Sequence, residues 1–331
     1  MKKVSILVPE GTAVVAVTGP LDILMQAGKY WMSLDHSRKK PFFEIELVSL
    51  GRAPVKSLSE YLITCNTWVE KVKKTNLILI PSLPGEYRKQ IKSNAKFIKL
   101  MQDQYKKGAE IASFCTGSFL LAATGLLKGK KASTHWMASR EFRELFPDVE
   151  LVSDKIIVDE GRLYSSGGAV SFLNLTLYLI EKYCGRETAI FISKSMLIDM
   201  QKAPQNAYAI FSGQKDHNDE IILKVQLYIE NNTEKKLSID DLASVAFLSR
   251  RSLIRRFINA TGNSPKEYIQ RAKVEEARRM LEFGNETMQE IFNKVGYDDH
   301  VTFRKIFKKY TGLLPSEYRN KFIQPVELSR I

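Results

Sequence analysis

Residues 253–268, LIRRFINATGNSPKEY, and residues 303–318, FRKIFKKYTGLLPSEY, carry one pattern twice, fifty positions apart. Phe257 and Phe307, Thr261 and Thr311, Gly262 and Gly312, Pro265 and Pro315, Glu267 and Glu317, and Tyr268 and Tyr318 all match. Self-similarity at such a period marks a duplicated supersecondary unit. A short helical segment precedes each copy, SIDDLASVAF and TMQEIFNKVGY. Ser238 and Thr287 stand where helix caps belong, with Asp241 and Glu290 three residues on as capping-box partners. The second helix of each copy is expected to start near Ser249 and Asp298. Helix, tight turn, helix is the unit whose second helix enters the DNA major groove.

Charge placement agrees with that reading. Leu253 and Phe257 fall i, i+4 on the inward face of the first such helix, leaving Arg250, Arg251, Arg255 and Arg256 outside. In the second, Phe303, Ile306, Phe307 and Tyr310 make the inward stripe, with Arg304, Lys305, Lys308 and Lys309 outside it. Arginine reads guanine bidentately and lysine neutralises phosphate. Arg251 and Arg255 are therefore expected at base edges, with Arg250 near the helix start and Arg256 toward phosphate. The offset sets Val301 and Lys305 at the matching places, with His300 and Arg304 beside them. Lys308 and Lys309 are expected nearer the DNA backbone. The simpler reading of one such helix is a solvated face; two copies, each behind a capped short helix, favour DNA. Net charge alone does not locate the interface. Residues 220–331 hold 20 basic against 15 acidic residues, net +5, and the rest of the +13 lies in residues 1–219.

The stretches LASVAFLSRRSLIRRFINATGNSPKEYIQRAKVEEARRML and VGYDDHVTFRKIFKKYTGLLPSEYR resemble the DNA-binding domain of the AraC family of bacterial transcription regulators over about 235–320. The first unit carries A-x-x-S-x-x-x-L-x-R-x-F from Ala246 to Phe257, and the second G-Y-x-x-x-x-x-F from Gly296 to Phe303. One departure is Phe292, where the family usually has a small residue. The resemblance implies a ligand-responsive regulator that sets two recognition helices into successive major grooves.

The first 200 residues have another rhythm. KVSILVP (3–9), FEIELVSL (43–50), NLILIP (76–81) and AEIASFC (109–115) read as buried strands. A longer helical segment, 85–108 with Gly108 as its stop, lies between two of them, and 165–185 is a late helix entered through a glycine turn. Alternating strand and helix implies an α/β doubly wound parallel sheet, which binds ligands at the C-terminal ends of its strands. GPLDIL, LILIPSLPG, IASFCTGSFLLAATGLLKGKKASTHW and SSGGAVSFLNLTLYL resemble the ThiJ/PfpI class of the glutamine-amidotransferase-like fold over about 1–195. Joined to an AraC-type domain, this looks like the GlxA-like regulator subgroup.

Cys115 sits at a strand-to-helix elbow. A helix N-terminus there is expected to lower the thiol pKa, and Thr116 and Gly117 complete the turn. The resemblance implies an acid in the isocyanide-hydratase-like branch three residues before the glycine of Gly19-Pro20; this chain has Ala16 there. Glu10 is a weak substitute, and Asn174 stands where an Asp is common. His135 is a base only if an acid orients it; the simpler reading satisfies its ring with backbone. Cys115, Thr116, Gly117 and His135 are accordingly expected to line an effector pocket and to catalyse nothing. The rival is a cysteine-dependent hydrolase or hydratase fused to a DNA-binding domain, and a third reading is an architectural protein without ligand.

No apolar run approaches the roughly 18 residues of a membrane span, and MKKVSILVPEG breaks at Pro9 where a signal peptide would continue. Cys65, Cys115 and Cys184 make neither a disulfide framework nor a metal knuckle, and the four histidines lack ligand spacing. No cofactor or metal is expected. The expectation is a cytoplasmic homodimer, paired through residues 1–200, with double-stranded DNA and a small-molecule effector as partners. Residues 201–219 read as a connection, 220–323 as the DNA-binding domain and 324–331 as a tail.

Overall fold

A computed structural model describes residues 1–152, 154–200, 205–211, 213–215 and 217–323, and the chain divides into two compact units, Met1–Gln205 and Asn206–Ile331. The strands of the first unit are β1 (Lys2–Leu7), β2 (Phe43–Ser49), β3 (Val55–Lys56), β4 (Leu62–Ile63), β5 (Thr67–Trp68), β6 (Leu77–Ile80), β7 (Glu110–Phe114), β8 (Lys131–Ala132), β9 (Glu150–Leu151), β10 (Ile157–Asp159) and β11 (Leu163–Ser166). Its helices are α1 (Val14–Ser33), α2 (Tyr87–Ser93), α3 (Ala95–Lys106), α4 (Ser118–Ala123), α5 (Ser139–Leu145), α6 (Ser171–Cys184) and α7 (Arg186–Ser195).

Seven strands form one sheet in the order β10-β11-β7-β6-β1-β2-β5, parallel except for the β10–β11 pair. β6 is buried at all four positions, as a strand covered on both faces must be. One face packs Val17, Leu24, Phe172, Leu175 and Ile192 of α1, α6 and α7. The other packs Phe97, Met101, Phe119, Leu121 and Phe142 of α3, α4 and α5. The four expected strands are all present, within one or two residues at each end.

Three local differences have physical causes. The expected helix 85–108 is two, broken at Asn94, whose side-chain amide donates to the Gln90 carbonyl at 2.8 Å and so competes with helix continuation. The helix of the expected segment 165–185, α6, begins at Ser171 after the glycine turn, and the segment itself opens on the end of β11. Ser165 and Ser166 are buried there; Ser165 Oγ accepts from the Ser133 amide at 2.8 Å and Ser166 Oγ lies 2.9 Å from Ser171 Oγ. The strands β3, β4, β5, β8 and β9 have two residues each, too few to show a period.

The second unit contains α8 (Glu220–Glu230), α9 (Ile239–Ala246), α10 (Arg250–Thr261), α11 (Pro265–Phe283), α12 (Met288–Lys294), α13 (His300–Thr311) and α14 (Pro315–Ile323). It has two cores. Ile222, Leu242, Leu253, Phe257 and Tyr268 build one; Ala277, Leu281, Ile291, Phe303, Phe307 and Tyr318 build the other. α11 contributes to both. Part of the expected connection belongs to this unit: Phe211 packs edge-on against Tyr268 at 5.0 Å, and Arg278 donates to the carbonyls of Ala207 (3.0 Å) and Ala209. Within the same stretch Phe211 is half-buried, whereas Tyr208 and Ile210 are exposed. Residues 201–204 and the expected tail 324–331 lie outside the described residues.

Candidate functional site

The repeat is duplicated to the level of single hydrogen bonds. Ser238 Oγ accepts from the Asp241 amide at 3.1 Å and Asp241 accepts from the Ser238 amide at 2.8 Å; Thr287 and Glu290 do the same at 3.3 and 2.7 Å. Thr261 Oγ1 donates to the Phe257 carbonyl and Thr311 Oγ1 to the Phe307 carbonyl, both at 2.8 Å. Gly262 and Gly312 end α10 and α13 in the left-handed region, with φ of 69° and 76°. Tyr268 meets Phe257 edge-on at 5.3 Å, and Tyr318 meets Phe307 at 5.5 Å.

The caps of the second helices are Ser249, as expected, and Asp299, one residue later than expected. The second turn is longer, which frees Asp298 to pair with Lys236 at 2.5 Å. On α10, Arg250, Arg251 and Arg255 are exposed, Arg250 lying 3.7 Å from Asp240. Arg256, expected toward phosphate, is instead held by Asp219, the cap of α8, and the pairing keeps its pKa above the usual arginine value. On α13, Arg304, Lys305, Lys308 and Lys309 are exposed. His300 is half-buried, its ring 5.2 Å from Phe292 and its Nε2 3.4 Å from Asn293 Oδ1. Arg304 leans over the same Phe292 ring at 5.8 Å. Arg251, Arg255, Lys305, Lys308 and Lys309 form no ion pair among the described residues.

Sequence reasoning missed two buried cations on α11. Lys273 donates to the carbonyls of Lys235 (2.8 Å) and Val295 (2.7 Å), tying the approach to α9 to the end of α12. Burial pushes its pKa down to about 8. Arg278 is likewise buried, with Nε donating to Tyr318 Oη at 2.8 Å. A signal existed: Lys273 lies four residues after Ile269 and four before Ala277, on the helix's apolar stripe.

The elbow of the first unit is real. Cys115 follows β7 with φ of 53°, left-handed and strained for a non-glycine residue. Thr116 Oγ1 accepts from the Leu83 amide (2.8 Å) and donates to its carbonyl (2.9 Å), pinning the turn to the neighbouring loop. A Cβ on Gly117 would fall 2.4 Å from the Pro81 carbonyl oxygen, so only glycine fits. The expected lowering of the thiol pKa does not occur. Cys115 is 6% exposed, and burial outweighs the hydrogen bonds from Thr116, pushing the thiol up to about 11. The six-residue α4 does not offset that desolvation.

His135 is half-buried and burial lowers its pKa. Its Nδ1 accepts from the Met137 amide at 3.2 Å, capping a single helical turn. No hydrogen bond joins it to Cys115 among the described residues; the link runs through Thr134, whose Oγ1 lies 3.4 Å from the Cys115 carbonyl. Ala16 is buried in the first turn of α1, Glu10 is exposed, and Asn174 donates to the Asp199 carbonyl at 3.0 Å. Two residues were missed here. Tyr87 stacks on Phe119 at 3.9 Å, and burial, aided by the nearby Cys115 and Glu141, pushes its pKa to about 12. The side chain of Gln205 is buried beside the histidine, accepting from the Trp136 amide (3.1 Å) and donating to the Thr134 carbonyl (3.2 Å). No cluster of three or more His, Cys, Asp or Glu among the described residues is placed to hold a metal.

The DJ-1/PfpI family model matches residues 2–182, and a helix-turn-helix domain model matches residues 242–321. The chain is 28% identical to the HTH-type transcriptional regulator GbdR of Pseudomonas aeruginosa over 237 residues, 71% of this chain and 64% of that protein's length. It is 24% identical to the HTH-type transcriptional regulator GlxA of Rhizobium meliloti over 285 residues, 85% of this chain and 86% of that protein. Over 175 residues it is also 27% identical to an isonitrile hydratase of Pseudomonas putida, 52% of this chain and 68% of that enzyme. The chain belongs to the DJ-1/PfpI family, in the branch that joins such a domain to an AraC-type helix-turn-helix domain.

Proposed function

We propose that this protein is a sequence-specific, DNA-binding transcription regulator whose first unit takes up a small metabolite. The observation that carries the reading is the matched pair of outward faces on α10 and α13, where Arg251, Arg255, Lys305 and Lys308 stand exposed without an acidic partner among the described residues. Arg250 and Lys309 flank them. Arg256 contributes by setting α8 against α10, and His300 and Arg304 border the second face. Phosphate contacts from such faces release counterions, and arginines in the major groove discriminate bases. The regulators GbdR and GlxA support the same reading by likeness.

The effector site is proposed at the elbow, lined by Cys115, Thr116, Gly117 and His135, without catalysis. A thiol held protonated by burial, a histidine engaged with backbone, and Ala16 in place of an acid support that reading. Pairing of two chains is proposed through the first unit. Leu58, Tyr61 and Leu62 of the β3–β4 hairpin are exposed there, and the Leu58 amide bonds the Thr12 carbonyl at 2.9 Å, beside exposed Val15 of α1. A cytoplasmic location follows from a DNA partner; no helix among the described residues is long and apolar enough to cross a membrane.

The test is selection of duplexes from a random library by the full chain. Enrichment of one motif is expected, with affinity falling steeply as salt rises. Arg255→Ala should lose about 1–3 kcal/mol and relax one base position. Failure to enrich any sequence sinks the reading. The likeness to isonitrile hydratase is tested by turnover of isocyanides, amides and methylglyoxal: Cys115-dependent multiple turnover would restore the enzyme reading.

A further inference from the structure

Val301 stands 59% exposed in the first turn of α13, on a face otherwise made of cations. At about 100° per residue, Val301 and Lys305 fall opposite the buried Phe303 and Phe307, as Arg251 and Arg255 fall opposite Leu253 and Phe257. The neighbouring polar side chains are engaged elsewhere. His300 and Arg304 both turn to the Phe292 ring, at 5.2 and 5.8 Å. Thr302 Oγ1 donates to Asp299 Oδ2 at 2.5 Å, and Asp299 also accepts from the amides of Val301 (3.0 Å) and Thr302 (3.2 Å), fixing this first turn. The outward pole of α13 at its N-terminal end is thus a valine and a lysine, where α10 has two arginines.

A valine side chain has no donor or acceptor, so it cannot read a base edge by hydrogen bonding. The group in the major groove that it can match is the C5-methyl of thymine. N-terminal residues of a recognition helix are the ones that reach base edges. Resting on the DNA-binding reading above, we propose that Val301 reads a thymine methyl in the major groove. The second half-site then specifies thymine where the first, facing Arg251, specifies guanine. The two units, alike in fold, read unlike sequences, and the operator is asymmetric in its bases.

The probe is the duplex selected by the full-length protein. Each thymine is replaced singly by uracil, which deletes the methyl and leaves every hydrogen-bonding group. One thymine, in the half-site whose preference survives Arg251→Ala, should weaken wild-type binding about three- to five-fold when demethylated. Val301→Ala should bind the thymine and uracil duplexes alike, and Val301→Arg should move the selected base at that position toward guanine. Val301 is on the surface, so thermal melts of both variants should match the wild type. Indifference to uracil at every thymine overturns the proposal, as does an undiminished thymine-to-uracil ratio in Val301→Ala. A chain that selects no sequence at all fails the DNA-binding reading itself, a result distinct from an enriched motif whose second half-site ignores the methyl.

Discussion

At Cys115 two features oppose each other. The left-handed backbone is the kind of strain that functional elbows hold, costing on the order of 1–3 kcal/mol. The thiol on it is buried and kept protonated. With a pKa near 11, its thiolate at neutral pH is scarce. Alkylation of Cys115 by iodoacetamide should therefore rise about tenfold per pH unit from pH 7 past pH 9. Peptide mass spectrometry across that range checks it, and a rate already level below pH 8 contradicts it. Glu110 shows the opposite balance. Burial alone would raise its pKa, but hydrogen bonds from Tyr164 (2.5 Å) and Lys2 (3.0 Å), with the lysine's charge, hold it at about 2 against an ordinary 4.5. A depressed folded pKa gives stability present above the unfolded value and lost on acidification. The melting temperature of the first unit should fall between pH 4.5 and 2, and Glu110→Gln should flatten that slope. The elbow was legible in SFCTGS because an apolar strand run meets Thr-Gly-Ser. Its proton chemistry was not, because the desolvation comes from packing that the local sequence does not specify. The Arg256–Asp219 pair spans 37 residues and was equally invisible.

Elements were more legible than side-chain partners, most of all where the chain repeats itself. Glycine stops and paired aromatics recur at an offset of fifty, and the capping boxes at forty-nine, so either copy checks the other. Where the copies differ, the difference is local. The first unit turns from α9 to α10 through Phe247, left-handed at φ 53° and 90% exposed; the second turns through Gly296 at φ 71°. Phenylalanine in that region is strained and, at this exposure, gains little from packing. Phe247→Gly should raise stability by about 0.5–1 kcal/mol, read from urea unfolding. A destabilised variant would mean that the ring makes contacts in solution that compensate its backbone. The break at Asn94 and the two-residue strands escaped periodicity for a plainer reason: one hydrogen-bonding side chain, or a single ladder step, leaves no pattern to read.

For the whole molecule, the division at Gln205 predicts which pieces stand alone. A fragment of residues 206–331 should fold and, on the proposed function, bind DNA with strong salt dependence. One beginning at 218 lacks the Ala207 and Ala209 carbonyls that Arg278 uses, leaving a buried guanidinium with unmet donors. It should be less stable by about 1–3 kcal/mol per unmet donor, and circular-dichroism melts of the two fragments decide it. Equal stability would show that those carbonyls are dispensable. The bridge between the cores has a consequence for the operator. α11 runs through 19 residues, about 28 Å, and α10 and α13 are each packed on a core that it helps to build. On the proposed function this unbroken helix acts as a calliper that fixes the two outward faces relative to each other, for major grooves one turn, about 34 Å, apart. A wrong base under one jaw costs one contact. An inserted base pair between the half-sites moves the far one by about 3.4 Å and swings it by roughly 35°, and the calliper has no hinge with which to follow. On the proposed function, lengthening the spacer between the half-sites should weaken binding more than any single-base substitution, and titration of duplexes with altered spacers checks it.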